Sequence, residues 1–161
     1  MTSNREPKHG AAAVSSASRA SIAIITINFD HAAETRACVG GLLPIPEGCG
    51  IFVVDNGSSE PLALPTAGGL SALRSPRNLG FGGGNNLALR EVLLAPFRHV
   101  IFLNNDARLD WDQARTLIGR LEKDSSLGCV GPIVVYPDGR IQSAGGRFDR
   151  ATLLSRDTKV V

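Results

Sequence analysis

The chain lacks any marked excess of one charge: 17 basic and 15 acidic residues are interspersed, and the formal net charge is +2. That balance argues against a polyanion-binding surface, so no nucleic acid is expected as a partner. Cysteine is scarce. Cys38, Cys49 and Cys129 make an odd count with no CxxC pair and no histidine at ligand spacing, which supports neither a disulfide framework nor a zinc site. They read as reduced, buried thiols of a cytoplasmic protein. No apolar run approaches the roughly 18–20 residues of a membrane span, and the N-terminus has no apolar signal core. A soluble protein is expected, and peripheral attachment to the inner face of a membrane is compatible with the same composition.

What is present is ordinary globular material: 161 residues, 43% hydrophobic and 20% charged, enough for one domain with a substantial core. Residues 1–20 mix Ser, Ala, Arg, Glu, Lys and Gly without periodicity and read as a disordered leader, leaving 21–161 as the folded domain. Ser21 to Ile27 reads as a buried strand released into Asn28-Phe29-Asp30, with Asp30 placed to cap a helix from about His31 to Leu43. Ile51 to Val54 is a second short apolar strand, released into Asp55-Asn56-Gly57-Ser58-Ser59, and Ala72-Leu73-Arg74 a short third. Asn78 to Asn86 (NLGFGGGNN) follows as a loop with four glycines in five residues, feeding a helix that carries Leu87, Leu89, Val92 and Leu93 and stops at Pro96. Such a loop lets a diphosphate or sugar approach backbone N–H groups and the helix dipole. Its spacing is neither GxGxxG nor that of a P-loop, so a plain flexible surface loop fits the glycines at least as well.

The most informative stretch is His99-Val100-Ile101-Phe102-Leu103-Asn104-Asn105-Asp106-Ala107. Its apolar half reads as a strand buried on both faces, and Asp106 then sits at the strand's carboxyl end, where open parallel sheets bind ligands. A carboxylate there suits a cation or a hydroxyl; alternatively, Asn105 and Asp106 cap the next helix. That helix runs from Asp110 to Lys123, with Ala114, Leu117, Ile118 and Leu121 on one face. Cys129 to Tyr136 reads as a further strand broken by Gly131-Pro132, Pro137 to Arg140 as a tight turn, and 141–161 as a segment without a clear element. Strands alternating with helices predict a mainly parallel α/β sheet covered on both faces. Such a fold collects Asn28, Asp55 and Asp106 along one rim, and capping accounts for one polar strand end more easily than for three.

Four segments in this order resemble the family 2 glycosyltransferases, in particular bacterial rhamnosyltransferase-like members: Ile25-Thr26-Ile27-Asn28, Val53 to Ser59, Asn78 to Asn86, and Phe102 to Asp106. Gly131-Pro132 and Ile141 to Gly146 match as well, so the resemblance covers about residues 21–150. It implies the Rossmann-like GT-A nucleotide-diphospho-sugar transferase fold, here truncated after its donor-binding half. It further implies that Thr26, Asn28 and Asp55 contact the nucleoside and that Asn105 reaches the ribose or diphosphate. Asn56, Asn78, Gly80, Gly82, Gly83, Asn86 and Asn104 complete the implied substrate-binding set. Asp106 would be the metal-binding last residue of the motif usually written DXD, whose first position is Asn104 here. One carboxylate suffices for Mg²⁺ or Mn²⁺ when substrate phosphates and water supply the other ligands.

The implied activity is inverting, metal-dependent transfer of a sugar, rhamnose being the one the subgroup suggests, from a UDP- or dTDP-linked donor to a glycan or lipid-linked acceptor. The general base of the family is expected beyond residue 161, so no catalytic residue is assigned within the chain. Asp138 and Asp149 are explained by turn formation and exposure. A non-catalytic nucleotide-sugar-binding module fits the same residues. A dinucleotide-dependent oxidoreductase does not, since residues 27–32 carry no GxGxxG. If later elements normally cover the far side of the sheet, Val134, Val135, Ile141 and Phe148 are the apolar residues left open, and a homodimer is one way to cover them.

Overall fold

Ile22–Asn28 forms β1, and its β-branched run is what a central strand needs when helices cover both of its faces. The computed structural model describes residues 21–149, 152 and 154–157, so the leader expected at 1–20 lies outside the described residues. With β2 (Gly50–Asn56), β3 (Leu70–Ser75) and β4 (His99–Phe102), β1 builds a four-stranded sheet in the order β3-β2-β1-β4. Every pairing in it is parallel, with Asn28 opposite Asp55, Asn56 opposite Ser75, and Ile25 opposite Phe102. The expected α/β architecture with a mainly parallel sheet is therefore what the chain adopts.

The period of two along β1 and β2 divides the core. Ile22, Ile24, Ile51 and Val53 meet Val39 and Leu42, in and just past α1 (Ala32–Gly40), and Ala114 and Ile118 of α3 (Trp111–Lys123). Ala23, Ile25, Phe52 and Val54 meet Ala88 and Val92 of α2 (Gly80–Leu93) on the other face. Burial of each such Ile, Leu or Val contributes about 1.5–3 kcal/mol. The sheet is thus clamped from both sides, and the polar ends of its strands are held at fixed positions.

Several elements differ from their expected form. The glycine-rich stretch is not a loop: α2 begins at Gly80 and takes Gly82, Gly83 and Gly84 into its first turns. Gly84 serves close packing on the sheet, since a Cβ there would lie 3.0 Å from Ile27 Cδ1 and 3.3 Å from Asn56 Cγ, whereas a Cβ on Gly80 or Gly82 would meet nothing within 4 Å. Asp30 does not cap α1, which has no side-chain cap; its Oδ1 instead accepts from Ser59 N and Ser59 Oγ, both at 2.8 Å. Nor do Asn105 and Asp106 cap α3, because Asp110 does so in a reciprocal capping box with Gln113, at 2.7 and 3.0 Å. Phe102 is 52% exposed, so β4 is not buried on both faces; it is the sheet edge among the described residues.

Of the strand expected at 129–136 only Val134–Val135 forms (β5). It pairs with β6 (Ile141–Ser143) across the predicted turn, in which Gly139 N donates to Tyr136 O at 2.9 Å and Arg140 Nε to Asp138 Oδ2 at 2.8 Å. The segment after 141 also carries an antiparallel pair, β7 (Gly146–Asp149) with β8 (Leu154–Asp157), which its weak alternation did not reveal. Val134, Val135 and Ile141 are exposed, as expected of an uncovered apolar patch, and the Phe148 side chain lies outside the described residues. Cys38 is buried and Cys49 partly so, but Cys129 is exposed, against the expectation of three buried thiols, because its segment forms no packed strand.

Candidate functional site

In the order β3-β2-β1-β4 the chain moves outward from β1 to β3 and then crosses to the opposite side of β1. The gap beyond the carboxyl ends of β1 and β4 is therefore the switch point at which open α/β sheets bind ligands, because no crossover loop covers it. A cleft of about 320 Å³ lies there. Ile27, Phe29 and His31 line it from the end of β1 and the turn after it, Leu103, Asn104 and Asn105 from the loop after β4, and Asn56, Asn78, Gly80, Phe81 and Asn85 from the end of β2, the turn before α2 and its first turns. No carboxylate is among these lining residues.

The α2 side is built by two asparagines. Asn56 at the end of β2 donates through Nδ2 to Asn78 Oδ1 (3.1 Å) and Gly80 O (3.2 Å), and its Oδ1 accepts from Leu79 N at 3.0 Å. Asn78 Oδ1 also accepts from Gly80 N at 2.7 Å. These amides satisfy the polar groups just ahead of the helix, which has no side-chain cap of its own, and bring its positive end to the cleft. An uncharged, donor-rich rim with a helix N-terminus suits a phosphorylated ligand.

Beneath the rim runs a buried polar network. Asn28, 1% exposed, donates through Nδ2 to Ser58 Oγ (2.9 Å) and Asp55 Oδ1 (3.4 Å), and its Oδ1 accepts from Thr35 Oγ1 at 2.8 Å. Thr35 Oγ1 in turn accepts from Asn105 Nδ2 at 2.9 Å. Asp55 accepts from Ser58 N (3.3 Å) and, through Oδ2, from Leu62 N and Arg74 Nη1, both at 3.1 Å. Burial pushes the Asp55 carboxyl upward, but the donors from Ser58, Leu62 and Asn28 outweigh it and hold the group below the ordinary carboxylate range. The carboxylate is thus anionic at neutral pH and engaged with protein donors on both oxygens.

Of the residues the resemblance implied, Asn56, Asn78, Gly80, Asn104 and Asn105 line the cleft. Asn28 and Asp55 lie beneath it, while Gly82, Gly83 and Asn86 do not line it, because the helical turn presents Asn85 there instead. Thr26 is fully buried in β1, and its Oγ1 has no hydrogen-bond partner among the described residues. An unpaired buried hydroxyl is costly, so Thr26→Val is expected to leave stability unchanged or raise it by about 1 kcal/mol in urea unfolding. A loss above about 1 kcal/mol would show that the hydroxyl is satisfied in solution.

Asp106 is exposed and borders a neighbouring hollow of about 300 Å³ with Glu34, Cys38 and Arg108. Burial and the Asp106 carboxylate push the Cys38 thiol up to about 11, so it is an inert neutral thiol at neutral pH. No cluster of three His, Cys, Asp or Glu side chains that could hold a metal occurs among the described residues. A single exposed carboxylate does not fit an all-protein cage; it does fit a divalent ion that shares its shell with phosphate and water. The residues that composition and motif did not single out are Phe29, Phe81, Asn85 and Thr35. For Thr35 a signal existed, since it falls on the buried stripe Thr35, Cys38, Val39 of α1, where a polar residue needs a reason.

An open parallel sheet covered on both faces, with an amide-lined cleft and a helix N-terminus at its switch point, defines a Rossmann-like α/β domain. The chain belongs to glycosyl transferase family 2, whose model matches residues 21–157. It is also 30% identical over 133 residues to a Sinorhizobium fredii (strain NBRC 101917 / NGR234) protein called "Uncharacterized protein y4gI". That match takes in 77% of this chain but only 14% of the relative's length.

Proposed function

We propose that this chain is the donor-binding domain of an inverting, metal-dependent glycosyltransferase that uses a UDP- or dTDP-linked sugar, rhamnose being the sugar its motifs suggest, and a glycan or lipid-linked acceptor. The observation that carries this is the amide-lined cleft at the switch point, flanked by the N-terminus of α2 and by Asn104-Asn105-Asp106. In this proposal Asn56, Asn78 and Gly80 bind the donor from one side and Asn104 and Asn105 from the other, while Asn28 and Asp55 support the nucleoside end from below. Asp106 would hold Mg²⁺ or Mn²⁺, which neutralises the diphosphate leaving group. Among the described residues no helix is long and apolar enough to cross a membrane, and the proposed place of action is the cytoplasmic face, where the exposed β5–β6 apolar residues are available for pairing with a second copy.

The absence of a carboxylate from the described cleft lining favours a second reading for the chain taken alone, that of a module that binds the donor without transferring it. Release of UDP or dTDP from the corresponding donor sugars, with and without Mn²⁺, separates the two: steady metal-dependent release marks an enzyme, and retention without release a binding module. Asp106→Ala is expected to remove the metal dependence of nucleotide binding while leaving the urea midpoint within about 0.5 kcal/mol, since the side chain is exposed. Unchanged metal dependence in this variant would take Asp106 out of the site.

A further inference from the structure

We propose that Thr35 is a positioning residue: its hydroxyl pins the Asn104–Asp106 segment to the β1 rim and makes the two sides of the cleft one unit, an inference that rests on the donor-site reading above. Thr35 is fully buried on α1. A helical threonine ordinarily satisfies its hydroxyl on the carbonyl one turn back, and Thr35 Oγ1 does lie 2.9 Å from His31 O. That local bond would suffice for a merely structural residue. Here the same oxygen also lies 2.8 Å from Asn28 Oδ1, so its one hydrogen is shared between two acceptors, and its lone pair receives Asn105 Nδ2 at 2.9 Å.

The segment it holds needs an anchor. β4 is the sheet edge among the described residues and ends at Phe102, and beyond Leu103 N, which donates to Ile25 O at 2.9 Å, the chain leaves the sheet. Past that point Asn105 Nδ2 on Thr35 is a short side-chain bond back to the domain, joined by the weak Cys38 Sγ contact to Asn104 O at 3.8 Å. Asn28 continues the connection to Ser58 and Asp55, and Asp55 to Arg74. One chain of polar groups, buried at its centre, thus runs from the loop after β4 to β3. A single hydroxyl at its centre decides whether Asn105 is placed for a diphosphate or is free to turn away.

The test uses the whole chain. Thr35→Val keeps the side-chain shape but leaves Asn28 Oδ1 and Asn105 Nδ2 without their partner; Thr35→Ser keeps the hydroxyl. Amide hydrogen exchange is expected to quicken in residues 103–107 of Thr35→Val and of Asn105→Ala, with the double variant no faster than either alone and Thr35→Ser close to wild type. In titrations with Mn²⁺, Thr35→Val and Asn105→Ala are each expected to bind UDP and dTDP about tenfold more weakly, with the double variant little weaker than either alone and Thr35→Ser close to wild type. Unchanged exchange at 103–107 would overturn the proposal, as would a uniform rise across β1 and β2 that Thr35→Ser does not restore. A wild-type chain that binds neither diphosphate overturns the donor-site reading instead, and the exchange pattern then decides the role of Thr35 by itself.

Discussion

Gly57→Ala is expected to lose about 3–5 kcal/mol of folding free energy, measured as a lowered urea midpoint at unchanged slope. Gly57 follows β2 directly and has φ +81°, a conformation that costs any residue with a Cβ. The larger part of the loss is steric. A Cβ there would lie 2.3 Å from the carbonyl carbon of Arg77 and 2.5 Å from Asn78 N, and backbone atoms cannot swing aside as a side chain would. The same approach places Asn78 against Asn56, so a variant that still folds must shift the α2 side of the cleft. A midpoint within about 1 kcal/mol of wild type would mean that the turn after β2 is far more adaptable than this packing allows.

Asp55→Ala is expected to cost about 2–4 kcal/mol at neutral pH and to weaken the binding of bare UDP or dTDP as well as of the nucleotide sugars. Removing the carboxylate leaves Leu62 N, Arg74 Nη1 and one Asn28 contact without an acceptor. Arg74 is partly exposed and recovers some hydration, which keeps the loss below that of a fully buried pair. The pH dependence has a definite sign. Asp55 titrates lower in the folded chain than its ordinary 3.8, so its contribution is complete above that value and is lost as pH falls through the folded value. The gap between wild type and Asp55→Ala should therefore stay constant from neutral pH down to about pH 4 and narrow only below it. Asp30, Asp124 and Asp138 shift in the same direction, each held down by hydrogen bonds from a nearby side chain, so the variant retains part of the acid sensitivity. A gap that does not change with pH would mean that the carboxylate carries no charge-dependent bonds. Unchanged nucleotide binding would leave Asp55 a structural residue.

How much of this was legible in the sequence follows from which interactions are local. Apolar runs such as Ile22 to Ile27 and Ile51 to Val54 announce strands covered on both faces, and the spacing Ala114, Leu117, Ile118, Leu121 announces α3, because pattern and burial share one period. Trp111, at the start of the same helix, donates its indole N–H to Leu42 O at 2.8 Å beside the core. The glycine run reads as a loop because helix propensity counts against glycine, whereas the close approach of Gly84 to Ile27 and Asn56 needs a glycine inside the helix. The relay through Thr35 joins residues 28, 35 and 105, and a link between groups 70 positions apart leaves no mark on the pattern around any of them. Asn85 in place of Asn86 at the cleft is likewise a matter of helical phase, fixed only once α2 starts at Gly80.

The measurement that bears most directly on the cleft as a donor site is calorimetric titration of the folded chain with UDP and with dTDP, each with and without Mn²⁺. Saturable binding of at least one diphosphate that requires the metal is the predicted result. A chain shown to be folded by its cooperative urea transition that binds neither, with or without Mn²⁺, would contradict it.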